Sequence, residues 1–344
     1  MIQANPRRGI ICCVAANALW AVAAIYLKLV DTASVVEVFC HRIVWAFPTL
    51  LLYLLVTSQL HVLYHSLCNW KLVLRYAGSS LLLGASLYVT VWAIYSNHIV
   101  EMSLAFFINP LVNVLLGILF LGERLRRYQW VAVTCAVAGV LVVGITNGQV
   151  PWIALGIAFN FSIYGFVKKL APLDPVVGVT IELALISVPA AVYLASSQTV
   201  FGHDKVTTDL LLVGAGIFPT AIPYVLYSAA AQHISMTLLG VLQYILPTGS
   251  FLVGTFMYHE SVSTGKLIGF IVVWAGLLIF TIEGIVWQRL KAPLADLSSV
   301  VVVPIELDDD KLDTTLPSQD HWQNLESPQG KTDGSMSKES TSRN

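Results

Sequence analysis

Apolar residues fill ten separate stretches of the chain, and short polar connectors divide them. A stretch of about twenty residues, rising about 1.5 Å per residue as a helix, crosses a hydrocarbon core of about 30 Å. The pattern predicts membrane-spanning helices at residues 9–30, 35–56, 74–96, 101–121, 128–146, 151–170, 176–197, 208–231, 236–258 and 265–287. The longest connectors lie at residues 57–71 and 196–207. We therefore expect an all-α membrane protein with ten transmembrane helices.

Composition supports this interpretation and separates the last part of the chain from the rest. Hydrophobic residues make up 56% of the 344 residues and charged residues only 11%, whereas soluble domains carry about 25% charged residues. From residue 291 to 344 the chain turns to Asp, Ser, Thr, Pro, Gln and Lys. Such a segment buries too little apolar surface to offset its ordering entropy. We expect a disordered acidic cytoplasmic tail there, and a regulatory or partner-binding role for it stays open.

The distribution of Lys and Arg predicts the orientation of the spans. Three basic residues fall on the outside when the N-terminus is placed in the cytoplasm, namely Lys28, Lys205 and Lys266. Eleven fall on the inside: Arg7, Arg8, Lys71, Arg75, Arg124, Arg126, Arg127, Lys168, Lys169, Arg289 and Lys291. This excess follows the positive-inside rule. We expect a multi-pass protein of the plasma (inner) membrane with both termini in the cytoplasm.

An internal repeat relates the two halves of the chain. A shift of 137 residues aligns residues 101–127 with a weaker copy and pairs Pro110 with Pro247, Gly117 with Gly254, Glu123 with Glu260 and Gly139 with Gly276. Five spans per half is an odd number, so the second half must be inverted relative to the first. The expected divisions are a first five-helix half at residues 1–148, an inverted second half at 149–290, and the tail at 291–344.

Charge differences between the copies agree with inversion. Glu123 is followed by arginines at positions 124, 126 and 127, whereas Glu260 is followed by Ser261, Ser263 and Thr264. Inverted repeats are typical of secondary transporters, whose substrate site lies near the membrane midplane where the halves meet. Chance similarity between apolar helices is the competing explanation.

Arg42 and Glu182 are charged residues that lie well inside predicted spans, and they require an explanation. Arg42 in the second span and Glu182 in the seventh are equivalent under a shift of 140 residues, and a charge at such a depth costs about 3 kcal/mol or more. Either they face a central cavity, where they pair with each other, bind a charged substrate group or couple a proton, or they form a structural ion pair that locks the halves. His41 and Glu37, one turn apart beside Arg42, fit a local polar network or a substrate site.

Aromatic and amide side chains supply further candidates for a binding site. Tyr88 and Trp92 share one face of the third span, Tyr224 lies in the eighth and Trp20 in the first, and each could line a cavity for an amphipathic solute. Tyr95 and Tyr227, nearer the span ends, fit an interfacial aromatic belt. The amide set is Asn109 and Asn113 around Pro110, with Gln243 and Tyr244 before Pro247.

Prolines inside the spans give those amides two alternative roles. Proline removes an intrahelical hydrogen bond, so a nearby amide either satisfies the freed carbonyl or holds a substrate. Pro219 and Pro223 in the eighth span are interpreted as kinks that permit rocking.

Enzymatic motifs are missing from the sequence. It contains no HExxH, no CxxC and no glycine-rich phosphate loop, so neither a metal nor a cofactor is expected. An integral membrane enzyme would have to rely on His98, Glu101 and His233. The other alternative is a membrane scaffold whose tail recruits partners, and no nucleic-acid partner is expected.

Several runs of residues resemble a known family. These are VEVFCHRIVWAFP, SLYVTVWAIYSNHIVEMSL, AFFINPLVNVLLGILFLGERLRRYQWVAV, IALGIAFNFSIYGFVKK, VTIELALISVPAAVYL and LGVLQYILPTGSFLVGTFMYHE. They resemble the RarD proteins, a branch of the EamA-type drug/metabolite transporter superfamily, and the resemblance covers roughly residues 7–290. The resemblance implies a ten-span inner-membrane permease of two inverted five-helix halves, associated with chloramphenicol sensitivity. The chain departs from this pattern in its long tail and in His259, where a glycine usually precedes the glutamate.

The expected function is secondary transport. A small amphipathic metabolite or drug would move, in the outward direction, through a site that is exposed alternately to the two sides of the membrane. A proton gradient or downhill exchange would drive it. The expected partners are thus a small-molecule substrate and membrane lipid, with protons and a second copy of the chain, as a homodimer, as further candidates.

Overall fold

The structure is a computed structural model that describes residues 5–30, 32–96, 98–146, 152–257 and 264–301. Helices account for most of these residues, and no strand occurs among them. In chain order the helices are α1 (Pro6–Lys28), α2 (Val35–Val56), α3 (Leu60–Cys68), α4 (Trp70–Tyr95), α5 (Ile99–Leu121), α6 (Arg127–Thr146), α7 (Trp152–Lys169), α8 (Pro175–Ser196), α9 (Val206–Gly216), a π-helical segment (Ile217–Ala221), α10 (Ile222–His233), α11 (Met236–Gln243), α12 (Ile245–Met257) and α13 (Thr264–Val301).

Seven helical stretches in the described part of the chain are long and apolar enough to cross a membrane. They are Pro6–Lys28, Val35–Val56, Trp70–Tyr95, Leu104–Leu121, Pro175–Ser196, Val206–His233 and Leu267–Gly284. The other three predicted spans, at 128–146, 151–170 and 236–258, are also helical where they are described. The predicted connector at 57–71 contains the short helix α3. The described part of the chain is therefore helical, and the protein is multi-pass in character.

Capping residues define where several helices begin and end. Asn5, Ser34 and Asp174 each accept a hydrogen bond from a backbone N–H in the first turn of the helix that follows, so they satisfy donors that lack an intrahelical partner. Gly122 ends α5 with a φ of 64°, a left-handed conformation that glycine adopts without steric cost.

Helices α2 and α8 pack against each other in the middle of the bundle. Leu54, near the C-terminal end of α2, lies in one buried cluster with Val177 and Ile181, near the N-terminal end of α8. The two helices therefore run antiparallel. Both have 22 residues and both contain a proline, Pro48 in α2 and Pro189 in α8.

Helices α6 and α13 approach each other through glycines that the repeat relates. A Cβ placed on Gly139 would lie 2.9 Å from the carbonyl oxygen of Gly269, and a Cβ on Gly276 would lie 2.9 Å from that of Ala132. Close helix contacts in membranes use small residues in this way. The contact is reciprocal, because Gly139 with Gly276 and Ala132 with Gly269 are each 137 positions apart.

The packed bundle ends at Trp287, and Gln288 begins a separate unit. In that unit the described residues are helical, since α13 continues to Val301. The expected start of the disordered tail at residue 291 thus falls within α13, and residues 302–344 lie outside the described residues. So do Glu260, Ser261 and Ser263, on which the charge comparison depends, and His259.

Candidate functional site

Two prolines free two carbonyl oxygens at the π-helical segment, one at the end of α9 and one within the segment. Because proline has no N–H, the carbonyl four residues before it loses its usual donor. Pro219 removes the donor for Ala215, and the Thr220 hydroxyl donates to the Ala215 carbonyl instead, at 2.9 Å. Pro223 removes the donor for the carbonyl of Pro219. The prolines that were interpreted only as kinks thus create an acceptor inside the bundle.

Arg42 lies against this acceptor. Its Nη2 donates to the Pro219 carbonyl at 3.3 Å, its Nε to the Thr220 hydroxyl at 3.0 Å, and its Nη1 to the Leu87 carbonyl at 3.5 Å. Trp20 Nε1 donates to the same Pro219 oxygen at 3.3 Å. One freed carbonyl therefore connects α1 and α2 to the broken helix.

The guanidinium of Arg42 has only neutral partners in the described part of the chain. Its side chain is buried, with 3% of the residue exposed, and no described carboxylate lies within 4.0 Å of it. Buried charges are normally paired, because desolvation of an unpaired ion is costly. Such a buried charge is a feature of the centre that calls for a ligand.

Aromatic rings lie near Arg42, because Trp20 shares its Pro219 acceptor. Trp20 meets Tyr224 and Phe161 edge to face, with ring centroids 5.1 and 5.4 Å apart, and Phe161 lies 5.0 Å from Tyr227. Tyr164 stacks on Tyr227 at 6.3 Å. We call these five residues the aromatic cluster. The sequence pattern indicates Trp20 and Tyr224 as binding-site candidates and places Tyr227 in an interfacial belt. In the structure Tyr227 is fully buried in the bundle.

The predicted amides form one buried network beside this cluster. Asn113 Nδ2 donates to Asn109 Oδ1 at 3.0 Å and also to Gln243 Oε1, and Gln243 Nε2 donates to the Tyr227 hydroxyl at 3.1 Å. Ser162 of α7 donates to Asn109 Oδ1 at 2.9 Å. The amides therefore bridge α5, α7, α10 and α11, and these bonds go to side chains, not to a carbonyl freed by Pro110.

Glu182 belongs to a different set of contacts. Its carboxylate accepts hydrogen bonds from Lys168 at 2.9 Å, from the Ser79 hydroxyl at 2.5 Å and from the Tyr164 hydroxyl at 3.1 Å. Glu182 and Lys168 are 0% and 1% exposed, so this is a fully buried ion pair. It joins α4 to α7 and α8.

Arg42 and Glu182 do not pair with each other, which corrects one of the alternatives above. Each is the eighth residue of its helix, and these helices are antiparallel, so the two lie toward opposite ends of the bundle. Twelve residues separate Arg42 from Leu54, which packs near Glu182, a rise of about 18 Å. Lys168, which the orientation argument counts among the basic residues on the cytoplasmic side, is buried in the bundle, where it neutralises Glu182.

His41 lies in a local network at the N-terminal end of α2. Glu37 Oε1 accepts from the backbone N–H groups of Val200 and Phe201, at 2.6 and 3.3 Å. His41 Nδ1 accepts from Trp45 Nε1 at 3.1 Å, and its ring lies 4.9 Å from that of Phe201. Of the two interpretations of His41, the geometry favours the polar network, which ties α2 to the connector after α8.

Three predicted site residues lie apart from the aromatic cluster. Tyr88 is 39% exposed and its ring meets Phe39, while Trp92 stacks on His98 at 4.7 Å. The Tyr244 hydroxyl donates to a backbone carbonyl of α5 at 3.2 Å. None of the three has a ring contact or hydrogen bond with the cluster among the described residues.

Glu123 has a role that the repeat did not predict. From the connector after α5 it accepts hydrogen bonds from Met236 N at 2.6 Å, Thr237 N at 2.9 Å and the Thr237 hydroxyl at 2.6 Å. It therefore caps the N-terminus of α11 across the boundary between the expected halves, where a negative charge also suits the helix dipole. An acidic residue within a cluster of arginines was the available signal.

The residues considered for an enzyme are not assembled into a site in the described part of the chain. His98 stacks on Trp92, and His233 Nδ1 accepts from the backbone N–H of Asn5 at 3.4 Å. The side chain of Glu101 lies outside the described residues.

Comparisons with known proteins identify the family. The EamA-like transporter family matches residues 7–145 and 150–282. The chain is 38% identical over 289 residues to the protein RarD of Salmonella typhi, covering 83% of this chain and 98% of the relative. It is 37% identical over 294 residues to the uncharacterized transporter YojE of Bacillus subtilis strain 168, covering 84% and 98%.

A solved crystal structure gives the same picture of the fold. It matches 83% of this chain and 100% of its own, with a TM-score of 0.63 and 20% identity. Taken with the helical bundle and the two matched segments, these similarities show that the chain belongs to the EamA-like transporter family and is a homologue of the RarD proteins.

Proposed function

We propose that the chain is a secondary transporter of ten spans in two inverted halves, residues 1–148 and 149–290. It exports a small amphipathic metabolite or drug by alternating access. The substrate site lies where α1, α2, α7 and α10 meet, and comprises Arg42 and the aromatic cluster, with the amide network as its wall. Membership of a transporter family supports this class over an enzyme or a scaffold.

Two observations support the inverted halves. The family matches the chain twice, over segments of similar length. The reciprocal glycine contact between α6 and α13 is the kind of self-complementary interface that a two-fold axis generates between related surfaces.

The observation that carries the proposal is the broken helix beside Arg42. Transporter sites near the midplane are formed by discontinuous helices whose free backbone groups face the cavity. Here Pro223 frees the carbonyl of Pro219, and both Arg42 and Trp20 converge on it. Irregular backbone in a membrane is tolerated where it faces protein or a cavity.

Polar contacts close the two ends of the α2 and α8 pair. Glu37 holds the connector at Val200 and Phe201 at one end. At the other end Lys168 and Ser79 hold Glu182. Alternating access requires one of these sets to open at a time, so we assign them as the two gates.

The orientation proposed from basic residues survives one correction. Removing the buried Lys168 from the eleven inside residues leaves ten, still against three outside. The gate containing Glu37 then faces the outside and the gate containing Glu182 faces the cytoplasm, with both termini in the cytoplasm.

Flux in reconstituted vesicles tests the proposal. The full chain is placed in liposomes, and the uptake of a panel of small amphipathic solutes, chloramphenicol included, is followed with and without a proton gradient. We expect saturable flux of at least one solute, and its loss in Arg42→Gln. The matched control is Arg75→Gln, which removes an exposed arginine from α4.

Two results would contradict it. Undiminished flux in Arg42→Gln would remove this site from the transport path. A chain that moves none of the solutes, although folded and correctly inserted, would count against transport itself.

A further inference from the structure

We propose that the substrate is a small organic monoanion, a carboxylate on an apolar ring or chain, whose carboxylate binds Arg42. This rests on the proposed transport function and names the class of solute that the site takes. It follows from the charge, the hydrogen bonds and the rings around one side chain.

The charge of Arg42 has no counterion in the described part of the chain. Lys168 is buried to a similar degree, 1% against 3% exposed, and is neutralised by Glu182. Glu37 supplies the carboxylate of α2 itself, and its Oε1 accepts hydrogen bonds from the backbone N–H groups of Val200 and Phe201. Because a buried ion without a partner is costly, an anionic ligand is the missing member of this site.

The existing hydrogen bonds of Arg42 position it without neutralising it. They go to two carbonyl oxygens and one hydroxyl oxygen, and they use three of the five N–H donors that a guanidinium has. The two donors that remain are on Nη1 and Nη2, the end of the guanidinium that carboxylates bind through two parallel hydrogen bonds. The Nη1 bond to Leu87 is long, at 3.5 Å, and yields easily to a stronger acceptor.

A second donor lies near the same charge. The Tyr224 hydroxyl makes no hydrogen bond to a described residue, although only 4% of Tyr224 is exposed, and its ring lies 5.1 Å from that of Trp20, which shares the Pro219 carbonyl with Arg42. A carboxylate held by Arg42 would accept this O–H. The anion therefore receives donors from both α2 and α10.

The rings next to Arg42 determine the rest of the solute. Trp20 contacts Tyr224 and Phe161 at ring-centroid distances of 5.1 and 5.4 Å, and Trp20 and Phe161 are only partly buried. Such surfaces suit a planar or aliphatic body. One cation and one hydroxyl match a single negative charge, which favours a carboxylate over a phosphate dianion.

Equilibrium binding to the purified full chain in lipid nanodiscs tests this. The probes are 3-phenylpropionate, its neutral isostere 3-phenylpropionamide, and phenyl phosphate. We expect the carboxylate to bind at least about tenfold more tightly than the amide, since a charge-assisted pair is added to the same ring contacts. Equal affinities, or tighter binding of the amide or the phosphate, would overturn the assignment.

Substitutions separate recognition from a structural role. Arg42→Gln should lower carboxylate affinity about tenfold and leave amide affinity within about twofold, whereas a purely structural arginine would affect both probes equally. Arg42→Lys keeps the charge but not the two parallel N–H donors of a guanidinium, so its carboxylate affinity should lie between those of the wild type and Arg42→Gln. Arg75→Gln is the control.

Tyr224→Phe keeps the test valid if the arginine variants do not fold. It removes only the hydroxyl, and it should weaken carboxylate binding several-fold without affecting the amide. No change in the ratio of the two affinities would remove Tyr224 and the proposed geometry.

Binding and flux fail independently. Selective carboxylate binding without any flux would leave this inference standing and remove the transport proposal. Flux of neutral solutes in a chain that does not prefer the carboxylate would do the reverse.

Discussion

Arg42 and Glu182 occupy equivalent places in α2 and α8, but their surroundings treat the charge differently. Each is the eighth residue of a 22-residue helix, and each bonds to a hydroxyl from a neighbouring helical segment, Thr220 for the arginine and Ser79 for the glutamate. Glu182 is in addition neutralised by a buried lysine. Arg42 has no such partner in the part of the chain that the structure describes.

Glu182 is one half of a buried ion pair, whereas Arg42 is a buried charge whose described partners are neutral. Position in the helix and a hydroxyl partner are common to the two residues, and the buried charge of Lys168 distinguishes their surroundings. An ion with a counterion holds helices together. An ion with only neutral partners is held in place and remains available to a ligand.

Removing Lys168 should break the Lys168–Glu182 ion pair and should have the largest effect on stability. Lys168→Met leaves Glu182 buried without its counterion, and we expect a loss of about 3–5 kcal/mol in the free energy of unfolding. Denaturant unfolding of the purified chain in mixed micelles measures it. Lys71→Met, at an exposed position on α4, should stay within about 0.5 kcal/mol.

The double variant Lys168→Met with Glu182→Gln sharpens this test. It removes both charges, so most of the lost stability should return. A double variant as unstable as the single one would mean that packing, and not the unpaired carboxylate, sets the cost.

Removing Arg42 should have a much smaller effect on stability. In Arg42→Met the carbonyl of Pro219 keeps Trp20 as donor, and the Thr220 hydroxyl still donates to Ala215. No described buried counter-charge is left unpaired, so we expect a loss of about 1–2 kcal/mol, smaller than that for Lys168→Met. An equal loss would show that the cation has a buried anionic partner.

The two hydroxyl partners provide a smaller and matched comparison. Thr220→Val removes the acceptor of Arg42 Nε and leaves the Ala215 carbonyl without its donor, while Ser79→Ala removes one of three donors to Glu182. We expect about 1–2 kcal/mol for the first and about 1 kcal/mol for the second. The same unfolding measurement decides, and a larger effect for Ser79→Ala would contradict the comparison.

Restoring a backbone donor should have the smallest effect. Pro223→Ala supplies an N–H for the Pro219 carbonyl, which then competes with Arg42 and Trp20 for that oxygen. We expect a change of only about 0.5 kcal/mol in stability, with a few-fold weaker binding of 3-phenylpropionate. Pro48→Ala in α2, whose freed carbonyl lies elsewhere, should leave binding unchanged.

Much of the helical arrangement could be predicted, because apolar length and capping are local properties of a sequence. The ten stretches are helical, and Arg42 and Glu182 were found because charges are rare in such stretches. Their positions toward opposite ends of the bundle depend on the antiparallel packing of α2 and α8, which appears only in the structure.

The partners of those charges could not be predicted, because they depend on contacts between distant helices. Lys168 lies near the end of a predicted span, where a lysine usually reaches the aqueous side. Only the packing of α8 and α4 around it makes it a buried counterion. Pro219 and Pro223 predicted a kink, but not which side chains would take the freed carbonyl.

The cap that Glu123 supplies to α11 has a consequence for biosynthesis. Glu123 is 113 residues ahead of Met236, so at about 5–20 residues per second the ribosome makes the acceptor roughly 6–20 s before the donors. The N-terminus of α11 therefore enters the membrane when its cap is already present. An earlier segment of the chain thus supplies the cap for a helix that is synthesised later.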